Sequence, residues 1–231
     1  MTKAVIFDLD GLLINSEIIS YKVYKKLLNE YDHNFSMEEY AQNFSGKTEI
    51  NNVKKLINDY NLPLSIDEAL NYVLKLEEEL LNEGVELKNG AKELLIHLKN
   101  NKIKTAIASS STKERALKIL KELNIFDYFD EFVFANEVKN GKPNPDIFLM
   151  ACDKLFEKPE DCLVLEDSEA GIQAAHSAGI EVICIPDMKM PNKTYKDMTK
   201  AVLNSLKEVI QVVRSKWQVS TVSSDKWQVS S

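Results

Sequence analysis

Long apolar runs are missing from these 231 residues. No stretch approaches the roughly 20 consecutive apolar residues that a membrane helix needs, so a membrane partner is not expected. Cysteine is scarce: Cys152, Cys162 and Cys184 form no CxxC pair. An odd count without metal-ligand spacing argues against a disulfide framework or a zinc site, and for reduced thiols filling small core positions. Positive charge is in deficit, with 29 Lys and Arg against 36 Asp and Glu and a net charge of −7. Nucleic-acid backbones demand clustered cations, so no nucleic-acid partner is expected. No charged leader followed by an apolar stretch and a cleavage site precedes the first strand, and the expected location is cytoplasmic. What remains is an ordinary globular mixture, 44% hydrophobic and 28% charged. Its length suits one large domain, or a core with a smaller insert.

The pattern along the chain favours the second arrangement. Residues 3–8, "KAVIFD", read as a buried strand. From about 16 to 81 no convincing strand occurs. Apolar residues there recur at three and four positions, predicting helices over 18–31, 37–44, 50–60 and 65–81. Ser65 with Glu68 is a capping-box pattern for the last. After Gly84, helix "GAKELLIHLKNN" leads to strand "IKTAIAS", and strands "EFVFA", "CLVLED" and "EVICIP" then alternate with helices over 113–123, 145–156 and 168–178. Strands apolar throughout and separated by helices indicate a parallel sheet covered on both faces. The first strand has no partner before the helical block and must join this later sheet. The expected fold is therefore α/β, a Rossmann-like parallel core made of residues 1–14 and 84–213, with a small helical cap inserted at 15–83. "KWQVS" at 216–220 recurs at 226–230. Two copies of a pentapeptide make no repeat fold, and residues 214–231 are read as a non-native or poorly ordered extension.

Ligands of open α/β sheets bind beyond the carboxyl ends of the strands. The first strand ends on Asp8 and Asp10, the second on Ser109, Ser110 and Ser111, and the fourth on Glu166 and Asp167. A loop ending in Lys142 follows the third. Carboxylates placed this closely repel unless a cation, a proton or a reaction justifies them. Clustered carboxylates hold a hard cation such as Mg2+, hydroxyls and a lysine hold phosphate oxygens, and a carboxylate can itself become an aspartyl-phosphate. Together they propose Mg2+-assisted phosphoryl transfer.

The stretches "FDLDG" (7–11), "ASSS" (108–111), "GKPNPDIF" (141–148) and "LEDSEAGIQAA" (165–175) stand in the order and spacing of the haloacid dehalogenase-like hydrolases, a family this sequence resembles over roughly residues 1–210. The resemblance implies roles: Asp8 as nucleophile and metal ligand, Asp10 as general acid–base with its backbone carbonyl on the metal, Ser109 and Lys142 as the phosphate-holding and charge-balancing pair, and Asp167 as a metal ligand with Glu166 beside it or behind it. It also implies a mobile cap that closes over substrate, Mg2+ as cofactor, a small-molecule phosphomonoester as substrate, and a monomer or weak homodimer.

Two branches of that family compete. The β-phosphoglucomutases carry a histidine where this chain has Ser20 and an arginine where it has Glu49. An anion in place of that cation repels a sugar phosphate. Both departures favour a phosphatase of a sugar, polyol or nucleoside monophosphate, with the mutase as alternative. "GLLINSE", "SGKTEINNVKKLI", "LPLS", "IFLMACDKLF" and "AVLNSL" are similar to the pseudouridine-5′-phosphatase and sugar-phosphate phosphatase branch. Asn15 stands where the family usually has Asp, a departure at the hinge. "GKT" at 46–48 is not a nucleotide-binding loop: Ala41 stands where that motif needs glycine, and no strand precedes it. Lys47, with Ser110, Ser20 and Glu49, is a candidate for substrate contact. His33, His97 and His176 share no metal or triad spacing and are read as structural or surface residues.

Overall fold

The computed structural model describes residues 2–221. Six parallel strands form one sheet: β1 (Ala4–Phe7), β2 (Lys104–Ser109), β3 (Glu131–Phe134), β4 (Cys162–Glu166), β5 (Glu181–Cys184) and β6 (Ala201–Val202), in spatial order β3-β2-β1-β4-β5-β6. β1 lies between β2 and β4, with Ala4 opposite both Lys104 and Cys162. Its alternate residues go to opposite faces. Val5 and Phe7 join one apolar cluster with Ile107, Leu163, Leu165 and Ile183. Ala4 and Ile6 join another with Ala106, Val133, Val164 and Val182. Both faces are covered, which is why the strands carry no polar alternation.

Between β1 and β2 run α1 (Ser16–Asn29), α2 (Met37–Asn43), α3 (Glu49–Tyr60), α4 (Ile66–Asn82) and α5 (Ala91–Asn100). The first four make the inserted cap. α4 begins with the capping box read from the sequence: Ser65 Oγ accepts from the Glu68 N–H, and Glu68 accepts from the Ser65 N–H at 2.8 Å. Aromatic rings fill the cap. Phe35 and Phe44 meet edge-on at 5.4 Å, and Tyr24 lies 5.7 Å from Tyr40. The two linkers to the core lie side by side. Ile14 bridges Leu87, the Asn15 N–H donates to Glu86 O at 2.9 Å, and the Lys88 N–H donates to Leu13 O at 2.8 Å.

The remaining helices are α6 (Lys113–Glu122), α7 (Asp146–Leu155), α8 (Glu169–Ser177), α9 (Lys193–Lys196) and α10 (Leu206–Thr221). β6 and α10 were not anticipated. α10 carries the chain past position 214 and through the first "KWQVS", where the sequence suggested an extension; the second copy lies outside the described residues. The three cysteines are free and buried, with Cys152 and Cys162 Sγ atoms 3.5 Å apart. Among the described residues no helix is long and apolar enough to cross a membrane.

Candidate active site

The strand order reverses at the β1–β4 boundary, the place where α/β sheets open a crevice at their carboxyl ends. Asp8 and Asp10 follow β1 there, and Glu166 and Asp167 end β4. The Asp8 N–H donates to Leu165 O at 3.1 Å, so the ladder continues to the acidic pair. Gly11 is required at this turn. Its φ is +77°, and a Cβ on it would lie 2.9 Å from Asp167 Cγ. The glycine thus lets Asp167 close against the first loop.

Lys142 reaches in from the loop between β3 and α7. Its ammonium donates to Asp8 Oδ1 at 2.5 Å, Glu166 Oε1 at 2.7 Å and Ala108 O at 3.0 Å. Its side chain is 6% exposed and that of Glu166 is fully buried. Burial alone would lower the Lys142 pKa, but the two facing carboxylates more than reverse this and hold the lysine charged. Burial pushes the Asp8 carboxyl up to about 7; Lys142 opposes the rise, and Glu166 and Asp10 add to it. Burial, Glu166 and Asp8 push Asp167 well above the carboxylate range.

Glu166 was expected at the metal, and its surroundings argue otherwise. Oε1 is taken by Lys142, while Oε2 accepts from the Asp167 N–H, the Ser168 N–H and the Ser168 hydroxyl at 2.9–3.1 Å. Its acceptor sites are filled, and it does not line the cavity. Gly171 presses on it from α8: a Cβ there would overlap the Glu166 carboxylate.

The cavity in front of these groups measures about 150 Å3 and is lined by Asp8, Asp10, Ser109, Ser110, Lys142 and Asp167 from the core. Lys47, Thr48 and Glu17 line it from the cap side. Ser109 is buried, and its Oγ accepts from the Ser111 N–H at 3.0 Å. Lys47 donates to Asn43 O at 2.6 Å. Ser20 and Glu49 are not brought to the cavity. Ser20 Oγ leans on its own helix at Ser16 O, 3.5 Å away, and Glu49 accepts from the Tyr24 hydroxyl at 2.7 Å inside the cap.

Sequence reasoning missed Arg115, in the first turn of α6. Its Nη1 donates to Asp10 Oδ2 at 3.0 Å, and its Nη2 donates to Asp10 Oδ1 at 2.9 Å. Ser111 Oγ adds a bond to Oδ2 at 2.6 Å. Burial would raise Asp10, but Arg115 and Ser111 overcome it and hold the carboxyl below its usual value. One signal was available. A cation in the first turn of a helix opposes the macrodipole, and it needs a nearby anion to offset that.

Among the described residues, no group of three or more His, Cys, Asp or Glu side chains is arranged to hold a metal ion. With Glu166 engaged and the Asp10 side chain committed to Arg115, the core leaves two carboxylates on the cavity wall, Asp8 and Asp167, while Glu17 on the cap side is bonded to the Tyr40 hydroxyl. Hard oxygen donors in that number suit Mg2+, which keeps several waters and binds through one or two carboxylates plus substrate phosphate. The pair, buried together with raised pKa values, fits a divalent cation.

A family model described as haloacid dehalogenase-like hydrolase matches residues 5–185. The chain belongs to the haloacid dehalogenase-like hydrolases. Among its relatives in this family, the "Phosphorylated carbohydrates phosphatase" of Thermotoga maritima is 34% identical over 78% of this chain and 83% of its own length. The Drosophila melanogaster protein described as "Probable pseudouridine-5'-phosphatase" is 35% identical over 87% of this chain and 88% of its own. The β-phosphoglucomutase of Bacillus subtilis is 36% identical over 77% and 80%. A solved structure, that of the Clostridium difficile β-phosphoglucomutase, superposes with a TM-score of 0.76 at 26% identity, covering 96% of this chain and all of the other.

Proposed function

We propose that the chain is a Mg2+-dependent phosphatase acting on a small phosphorylated metabolite (a sugar, polyol or nucleoside monophosphate) through an aspartyl-phosphate on Asp8. It is a phosphoric monoester hydrolase, as its phosphatase relatives support. The observation carrying the covalent step is the Asp8 carboxylate on the cavity wall, backed by a buried lysine, with Asp10 two residues on. An Asp8 oxygen attacks phosphorus, the bond to the ester oxygen breaks, and Asp10, which Arg115 holds ionised in the free protein and which takes up a proton from solvent before this step, gives that oxygen the proton. Water then attacks the acyl phosphate, passes a proton to Asp10, and frees phosphate and Asp8. Lys142 offsets the charge that gathers on Asp8 and the phosphoryl oxygens. Ser109 and Ser110 line the side from which phosphoryl oxygens would be held. Mg2+ held by Asp8 and Asp167 would supply further neutralisation of that charge.

The relationship to β-phosphoglucomutases supports a second reading, in which a sugar hydroxyl replaces water. Lys47 is the one cation among the cap residues lining the cavity. A mutase must hold a bisphosphate in two orientations, and a single cap cation favours hydrolysis.

The test is phosphate release from a panel of sugar, polyol and nucleoside monophosphates. Activity should stop with chelator and return with Mg2+. Asp8→Asn should lower turnover by at least about a thousandfold. Substantial turnover in that variant, or full activity after exhaustive chelation, defeats the proposal. Faster conversion of β-glucose 1-phosphate to glucose 6-phosphate, with a trace of bisphosphate present, than release of phosphate from any panel member would select the mutase.

A further inference from the structure

Arg115 touches two bodies at once. Its guanidinium grips Asp10 of the core, and the Nη2 that serves Asp10 Oδ1 also reaches Glu77 Oε1 on cap helix α4 at 3.0 Å. A carboxylate offers about four acceptor sites. Three on Asp10 are taken by Arg115 and Ser111 in the bonds described above, and the Ser16 hydroxyl also bears on the carboxylate; of these partners only the guanidinium reaches the far end of the cap as well, so its position sets the carboxylate's direction. The side of that guanidinium facing the cap is held by Glu77. Glu77 is absent from the lining of the cavity that holds Asp8 and Asp10; its route to the chemistry runs through Arg115.

A second tie lies one turn along the same helix pair: Lys118 Nζ on α6 donates to Asn82 Oδ1 on α4 at 2.5 Å. Both ties join α6 to the last turns of α4, just before the linker at 86–88 that pairs with residues 13–15. A swing of the cap about these linkers therefore separates Arg115 from Glu77. Arg115 Nε is buried without a hydrogen-bond partner, so Asp10 and Glu77 do not satisfy every donor the group carries.

We propose that Arg115 is a positioning residue that makes the aim of Asp10 depend on cap closure, with Glu77 as the cap's handle on it. This rests on the reading of Asp10 as the acid–base, and it deepens that reading. With the cap closed, Glu77 holds the guanidinium and the guanidinium aims Asp10. With the cap away, Arg115 loses one partner and Asp10 loses its fixed direction, so proton transfer is suppressed until substrate is enclosed.

The experiment compares Arg115→Met, Arg115→Lys, Glu77→Gln and the Arg115→Met/Glu77→Gln double variant. On the best panel substrate, Arg115→Met should lower kcat about 30- to 100-fold with little change in KM. Arg115→Lys should restore little, because an ammonium cannot form the paired bonds to Asp10 while reaching Glu77. Glu77→Gln should lower kcat about three- to tenfold, and should have no further effect once Arg115 is Met. Equal effects of Glu77→Gln in both backgrounds, or an Arg115→Met change confined to KM, would overturn the proposal. Amide exchange across residues 77–82 without substrate gives a readout independent of catalysis. It should accelerate in Arg115→Met and, if that variant folds poorly, in Glu77→Gln. Unchanged exchange in a folded variant overturns the tie whether or not a substrate is known. Absence of phosphate release by the wild type from every panel member would instead count against the phosphatase reading.

Discussion

Core and cap hold their carboxylates in different ways. In the core, cations do it: Lys142 stands between Asp8 and Glu166, and Arg115 grips Asp10. In the cap, apart from Glu77 at its border with Arg115, neutral hydroxyls do most of it. Tyr24 donates to Glu49 and Tyr40 to Glu17, both at 2.7 Å, while Tyr60 and Tyr72 donate to Glu39 and Glu30. A cation next to a carboxylate fixes both its charge and its direction. A phenol fixes direction and leaves the charge uncompensated. Burial accordingly raises Glu17 despite its Tyr40 bond, and pushes Glu49 up to about 7. Of the core acids, Asp10 is held low by its guanidinium, while burial raises Asp8 to about 7 even against Lys142; in the cap Glu49 rises as far with only a phenol bonded to it.

The sharpest way to break this contrast is to remove the core's cation. Lys142→Met leaves Asp8 and Glu166 facing each other without their shared partner. Stability should fall by about 3–5 kcal/mol, and turnover by about a hundredfold or more. Thermal melting and phosphate release check both, and a loss of activity with unchanged melting would show that the buried charges tolerate separation. Next comes Gly171→Ala. Alanine suits a helix better by about 1 kcal/mol, but its Cβ overlaps a Glu166 carboxylate pinned by Lys142 and Ser168. Overpacking of about 1–3 kcal/mol should win, with turnover falling as Glu166 displaces Lys142. An unaffected melting temperature would mean that Glu166 can yield.

A pH-dependent effect tests the cap. A carboxyl whose folded-state pKa exceeds its unfolded value favours folding fully below the unfolded value, and loses that contribution as pH rises through the folded one. For Glu49 the window runs from 4.5 to about 7. Glu49→Gln keeps an acceptor for Tyr24 and cannot ionise. Its stability should match the wild type's at pH 4 and exceed it at pH 8, by up to about 3 kcal/mol, read as a higher melting temperature at the upper pH only. The same margin at both pH values would separate the effect from ionisation.

Much of this arrangement was legible in the residues. Uniformly apolar strands imply a doubly covered parallel sheet, and each acid-bearing loop follows directly from its strand, so the ends of β1, β2 and β4 could be placed from local pattern alone. Ser65 and Glu68 marked the start of α4 for the same reason. Partners chosen by tertiary approach were not legible. Glu166 looked like a ligand because it neighbours Asp167; only the folded chain shows its oxygens filled by Lys142 and the turn at Ser168. Ser20 and Glu49 were weighed by alignment to a pattern, but they sit on cap helices whose rotation no spacing reveals, and both turn away from the cavity. Arg115 went unseen because its two carboxylates lie far from it in sequence, one in each body.

The central place of β1 has a consequence for how the chain is made. During synthesis β1 emerges before the other five strands, and the strands on either side of it, β2 and β4, begin only at Lys104 and Cys162. The whole of α1–α4 leaves the ribosome before either neighbour exists. The cap, rich in helices and local contacts, can therefore gather while β1 waits as an exposed apolar strand. Its four buried residues, Ala4–Phe7, are the first of the sheet's apolar segments to be made and the one that waits longest for a partner. The acids that directly follow it then have a second effect: Asp8 and Asp10, later drawn into the active site, first act as charged gatekeepers at the end of a strand that has nothing yet to pair with.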